Sequence, residues 1–149
     1  MRVIIQRVSE ASVSIEQKEH SRISKGLLVL LGIGNDDGEE DIDYLCKKII
    51  NLRIFDDVNG VMNESVIQKE GEIMVISQFT LHANTRKGNR PSYIKAAKPD
   101  VAIPIYEKFC KQLEAQSGIE IKTGVFGADM KISLINDGPV TIWIDSKEK

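Results

Sequence analysis

Apolar and polar positions alternate early in the chain. In "ASVSI", Ala11, Val13 and Ile15 are separated by Ser12 and Ser14, the two-residue period of a strand with one dry face. A second such segment, "RVIIQRV", precedes it across the polar link Ser9-Glu10. "GLLVLLGIG" is apolar on both faces and predicts a central strand covered on both sides. "NDDGEED" then supplies turn chemistry and the carboxylates suited to a helix N-terminus. After it, Ile42, Leu45, Cys46, Ile49 and Arg53 recur at helical spacing, which predicts an amphipathic helix packed on a sheet.

Farther on, "IFDDVNGVMN" carries Asn59-Gly60 between apolar residues, a hairpin signal because both turn positions can take φ > 0. "EIMVISQFTL" reads as a strand that runs into a basic loop. The next helix is expected to start around Pro99-Asp100, with Pro104 tolerated only in its first turn. Tyr106, Phe109, Cys110 and Leu113 form its apolar stripe, and Gly118 is placed to end it. The last third reads as the strands "IEIKTG", "MKISLIN" and "PVTIWID"; in the last of these, Val140, Ile142 and Ile144 alternate with Thr141, Trp143 and Asp145. No repeat or low-complexity linker interrupts the chain, and only "SKEK" reads as a frayed tail. These elements predict one α+β domain over residues 1–149, with mainly antiparallel sheets covered by two helices. The strand order is not legible at this level.

Composition narrows the partners. With 28 % charged and 42 % apolar residues, the 149-residue chain lies near the globular average. Its net charge of −2 gives no global attraction to nucleic acid, so any contact with RNA has to be local. Arg7 and Glu10 interrupt the N-terminal apolar run before it resembles a signal peptide, no stretch approaches a membrane span, and a cytoplasmic location is expected. Cys46 and Cys110 have neither CxxC nor paired-His spacing; they are expected to be reduced, buried helix residues, with no metal and no cofactor.

Candidate chemistry concentrates in "VISQFTLHANTRKGNRPS". As an extended strand it would place Ser77, Phe79 and Leu81 on one face and Gln78, Thr80 and His82 on the other. One reading is a strand leaving the core and turning amphipathic. The other is a pocket floor whose hydroxyls and free backbone N–H groups bind a carbonyl oxygen as charge develops on it. Thr80 or Ser77 as nucleophile needs a base, and only His82 lies near in sequence, since His20 sits in the polar turn "QKEHSR". "NDGPVT" reads either as a turn joining two strands or as a cis Gly138-Pro139 whose re-aimed carbonyls accept hydrogen bonds from an ammonium. Arg86, Lys87 and Arg90 form either a solvated loop or a phosphate-contacting patch supported by Lys95 and Lys98. Phe126 in "GVFGADM" is either core or a base-stacking ring.

Taken in order, "IIQRVSEASVSI", "GLLVLLGI", "RIFDD" with "MN", "SQFTL", "RPSY", "FGADM" and "NDGPVT" resemble the D-aminoacyl-tRNA deacylase family, from Arg2 to about Trp143. The resemblance implies a compact, barrel-like α+β homodimer with active sites at the subunit interface. It implies that Ser77, Gln78, Phe79 and Thr80 form the catalytic segment. Gly138, Pro139, Val140 and Thr141 would then select chirality, with a cis Gly138-Pro139 entering the partner's pocket. Arg7 and Met130 would help hold that loop, and Phe126 would lie near the terminal adenosine. The implied reaction is hydrolysis of the ester joining a D-amino acid, or mischarged glycine, to the tRNA 3′ end. The N–H groups of Phe79 and Thr80 are the candidate oxyanion donors, with water or the ribose 2′-hydroxyl taking part and Thr80 positioning. Two alternatives stand beside it: a Thr80 nucleophile assisted by His82, and a non-catalytic module that binds aminoacyl-RNA or a peptide.

Overall fold

The computed structural model describes residues 1–149. Eight strands and two helices follow one another as β1 (Arg2–Ile15), β2 (Lys18–Ile23), β3 (Gly26–Gly32), α1 (Glu39–Asn51), β4 (Phe55–Asp56), β5 (Met62–Glu64), β6 (Glu72–Ser77), α2 (Pro99–Ser117), β7 (Ile121–Thr123) and β8 (Met130–Asp145), with a 3-10 turn over Phe79–His82 between β6 and α2. The main sheet runs β2-β1-β3-β6-β7, and β8 pairs with β1. Strand β1 pairs antiparallel with three partners: β3 along Arg2–Val8, β2 along Ala11–Ile15, and β8 along nearly its whole length. Parallel pairing is confined to β3 with β6 and β6 with β7, the two crossovers that α1 and α2 bridge. The Ser21 hydroxyl donates to the Thr123 carbonyl at 2.7 Å. That bond ties β2 to β7, and the sheet curls into a nearly closed barrel.

Two apolar clusters hold the layers. On the helix side Leu27, Val29 and Leu31 of β3 meet Ile42, Leu45 and Ile49 of α1 and Tyr106, Phe109 and Leu113 of α2. On the other face Leu28, Met74 and Ile76 meet Val8, Ala11, Val13 and Ile23. Strand β3 is therefore covered on both sides, as its unbroken apolar run predicts. Gly118, at φ +70, ends α2 and donates its N–H to the Glu114 carbonyl at 2.9 Å, a left-handed cap suited to glycine.

Several expectations are corrected. Ser9-Glu10 is an exposed part of one continuous strand, because β8 runs on beside β1 across it. His20 lies in β2 rather than in a turn, though it is exposed. Helix α1 stops at Asn51, where Leu52 turns extended, so Arg53 falls outside the stripe and donates to the Asn63 carbonyl at 2.8 Å. Pro104 is the sixth residue of α2, past the first turn. Its cost is limited because it is exposed, which leaves the unpaired carbonyl of Asp100 open to water. In the β4–β5 hairpin only Gly60 takes positive φ, at +74; the Asp57 carboxylate, accepting from Asn59 N–H at 2.8 Å, holds the turn instead. Cys46 is buried and Cys110 half-buried; both are free thiols, pushed up to about 12 by burial. No helix is long and apolar enough to cross a membrane, and no group of three His, Cys, Asp or Glu side chains is placed to hold a metal ion.

Candidate active site

A cleft of about 430 Å³ opens at the C-terminal ends of β3 and β6. Ser77, Gln78 and Phe79 form one side, Phe126 and Met130 the other, and Pro99 and Ala102 at the start of α2 a third. The structure thus brings five of the sequence-predicted site residues into one cavity. Phe126 is both core and wall, its ring lying edge-on to Tyr106 at 5.9 Å while lining the cleft. Gly124 makes room for Met130, because a Cβ there would lie 2.4 Å from the Met130 sulfur.

The polar floor arises where the β ladder stops. The Gln78 N–H makes the final bond to the Leu31 carbonyl at 2.7 Å, and the chain then tightens into the 3-10 turn. Strand alternation fails beyond Ser77, since residues two apart in a 3-10 turn do not share a face. The N–H groups of Phe79 and Thr80 open this turn and have no acceptor within the chain, as the first donors of a helical turn do not. Thr80 Oγ1 is held by Gln78 Nε2 at 2.5 Å. His82 is buried on the opposite side of the turn, lining a separate polar cleft with Arg2, Asp37 and Asp145. Burial lowers its pKa, and it makes no hydrogen bond to Thr80. The nucleophile–base pairing of Thr80 with His82 is therefore not formed.

"NDGPVT" is not a chain reversal. Asn136 to Thr141 lie within β8, where the pairing with β1 shifts register around Arg7, and the Gly138-Pro139 bond is cis. Asn136 spans the bulge: its Oδ1 accepts from Val140 N–H and its Nδ2 donates to Thr141 Oγ1, both at 2.8 Å. Arg7, with a side chain only 9 % exposed, reaches across from β1. Its Nε donates to the Asp137 carbonyl at 2.8 Å and its Nη1 to the Ile54 carbonyl at 2.7 Å. Gly138 takes φ +135, and a Cβ there would sit 2.8 Å from Arg7 Nη2. Arg7 thus holds this loop within its own chain, whereas Met130 lies in the cleft. None of Gly138, Pro139, Val140 or Thr141 lines the cleft of the same chain.

Sequence reasoning missed three contributors. Asn136 was visible only as turn chemistry. Tyr93, whose ring meets Phe79 edge-on at 5.0 Å, carried only the weak signal of an aromatic in "RPSY". The docking of Pro99 and Ala102 against the cleft is a tertiary event that no local pattern encodes.

Comparison with known proteins supplies the family. A family model described as D-Tyr-tRNA(Tyr) deacylase matches residues 4–145. The D-aminoacyl-tRNA deacylase of Bacteroides fragilis is 66 % identical over 149 residues, covering 100 % of this chain and 99 % of that protein. That of Flavobacterium psychrophilum is 64 % identical over the same span, with the same coverage. A solved structure described as c-Myc DNA Unwinding Element Binding Protein superposes with a TM-score of 0.93 at 40 % identity, covering 97 % of this chain and 98 % of that one. A probable eukaryotic D-amino acid tRNA deacylase shares the fold, with a TM-score of 0.80 at 16 % identity over 96 % and 97 % of the two chains. With its motifs in order and its full length matched, this chain belongs to the D-Tyr-tRNA(Tyr) deacylase family of enzymes.

Proposed function

We propose that the protein hydrolyses the ester of D-aminoacyl-tRNA, and of mischarged glycyl-tRNA, in the cytoplasm. The observation that carries this reading is the pair of unoccupied donors, Phe79 N–H and Thr80 N–H, beside a cleft floored by Ser77 and Gln78. A water oxygen, or the ribose 2′-hydroxyl in a first step, attacks the ester carbonyl. Negative charge moves to the carbonyl oxygen and is held by the two N–H groups. The bond to the ribose 3′-oxygen then breaks, and that oxygen takes up the proton given up by the attacking oxygen; where the 2′-hydroxyl attacked, water then cleaves the resulting 2′-ester in the same way. One preorganised donor contributes about 3 kcal/mol in comparable sites. Thr80, fixed by Gln78, positions the substrate rather than attacking it.

Chirality follows from main chain. Carbonyls of Gly138 and Pro139 from a second copy accept from the substrate ammonium, so an L side chain collides with backbone while a D side chain points outward. Glycine has nothing to clash and is admitted. A homodimer supplies this arrangement. In its favour, β8 pairs only with β1, and Ile135 and Trp143 on it are exposed. The relative named for DNA binding supports contact with nucleic acid in this fold.

The test is one paired assay of D-Tyr-, L-Tyr- and glycyl-tRNA with purified protein. Rapid hydrolysis of the first and third with the second spared is expected; equal rates for D and L, or saturable binding without turnover, overturn the reading. Light scattering at micromolar concentration should give twice the chain mass, and a monomer would remove the cross-subunit arrangement.

A further inference from the structure

Between Ala83 and Pro99 the sequence holds five cations, Arg86, Lys87, Arg90, Lys95 and Lys98, and no acidic residue, in a chain whose net charge is −2. The segment is a built finger rather than a loose coil. Asn84 and Ser92 exchange main-chain bonds of 2.8 and 3.0 Å at its neck, Asn84 Oδ1 accepts from Arg86 N–H at 3.0 Å, and Gly88 turns the tip at φ +71. Arg86, Lys87 and Arg90 are exposed and make no ion pair or side-chain hydrogen bond. In contrast, Lys47, Lys69, Lys131 and Lys147 are each matched to a carboxylate. Lys95 lines the polar cleft with Asp36 and Asp145 and belongs to that neighbourhood instead.

At the base of the finger lies a second feature. Phe79, a wall of the candidate active site, meets Tyr93 edge-on at 5.0 Å, and the two rings are 55 % and 38 % exposed. An exposed aromatic pair is costly in water unless something covers it. Here it sits between a reaction cleft and three unneutralised cations. Flat rings for a base followed by cations for the phosphates is the arrangement that grips single-stranded nucleic acid.

We infer that the 84–92 finger and the Phe79–Tyr93 pair hold the single-stranded 3′ end of the RNA: a base upstream of the terminal adenosine packs on the rings, and its flanking phosphates meet Arg86, Lys87 and Arg90. This rests on the deacylase reading and extends it from the ester to the nucleotides that carry it.

The test compares wild type with the triple variant Arg86→Ala, Lys87→Ala, Arg90→Ala on D-Tyr-tRNA and on D-Tyr-adenosine, which lacks the upstream nucleotides. The ratio of kcat/KM on tRNA to that on the adenosine ester is expected to fall at least tenfold, through KM. The slope of log KM against log salt should flatten by about 1.4, since two phosphates flank the base and each single-strand phosphate contact contributes about 0.7. Tyr93→Ala should weaken binding of uncharged tRNA about tenfold with no change in that slope. An unchanged ratio and slope in the triple variant overturn the inference. Uncharged tRNA binding separates the two claims: a wild type that binds tRNA through the finger but hydrolyses no ester sinks the deacylase reading alone.

Discussion

Replacing Arg7 by Met tests how the 136–141 loop is held. The guanidinium bonds two backbone carbonyls, Asp137 at 2.8 Å and Ile54 at 2.7 Å, from a nearly dry position. Hydrogen bonds from a charged donor contribute about 1.5–3 kcal/mol each, so the pair is worth roughly 3–6 kcal/mol. The carboxylates of Asp56 and Asp137 are half-exposed, and their ion pairs with Arg7 add less than about 1 kcal/mol. Methionine keeps part of the stem packing and none of the donors, so a loss of about 3 kcal/mol or more is expected. That is a large share of the roughly 5–15 kcal/mol typical of a domain. Urea unfolding of Arg7→Met should show the midpoint falling with the slope unchanged. Arg7→Lys, a single point donor, should recover about half the loss. Deacylation of D-Tyr-tRNA should fall more than tenfold in Arg7→Met, because the loop proposed to meet the substrate amine is no longer fixed. A stability loss under about 1 kcal/mol, or a lysine variant equal to wild type, would refute the carbonyl fork as the anchor.

Other expectations are equally direct. Burial alone would raise the Asp41 pKa, but the Ser146 hydroxyl, the Lys147 ammonium and the Gly38 N–H outweigh it and hold the folded value at about 2, against an ordinary 3.8. Its stabilisation is complete above the unfolded value and drains as pH falls toward the folded one. Unfolding free energy should therefore depend less steeply on pH in Asp41→Asn between about pH 5 and 2, by roughly 2 kcal/mol in total; superimposable pH curves contradict this. Gly138→Ala places a Cβ 2.8 Å from Arg7 Nη2 at φ +135, so it should lose at least about 1–3 kcal/mol in thermal unfolding along with activity, and a neutral result means the loop yields freely. Thr80→Ala removes the Gln78 contact and should slow deacylation without abolishing it, while acid quench of wild type traps no acyl-enzyme; a trapped acyl-Thr80 would restore the nucleophile reading.

What the sequence made legible follows from where local chemistry decides the outcome. Strand β3 is readable because its apolar run is too short for a buried helix and is bracketed by Gly26 and Gly32, and α2 because Pro99 and Gly118 bracket it. The β1–β2 hairpin is not: its two turn residues, Glu16 and Gln17, take φ of +50 and +64 without being glycine or asparagine, so sheet pairing on either side imposes what their side chains disfavour. Asn136-Asp137-Gly138 looks like a reversal by composition, yet β1 lies alongside on both sides of it, so β8 bulges outward over residues 137–140 opposite Arg7 and then resumes its direction. For the site, "SQFTL" locates the cleft, but the 3-10 turn that frees two N–H groups is set by where β3 stops offering partners, a long-range fact.

The register that places Arg2 opposite Asp145 and Val3 opposite Ile144 also dictates a schedule for biosynthesis. As the nascent polypeptide leaves the ribosome, β1 can recruit β2 and β3 early, but its other margin waits for the last segment to emerge. Contacts of such wide sequence separation make assembly slow, and the waiting margin is sticky in the interval. The cleft lacks its Met130 wall until β8 pairs, and the same event locks the loop at Gly138 against Arg7. Catalytic competence thus arrives with β8, and a product that stalls before it should be captured by chaperones.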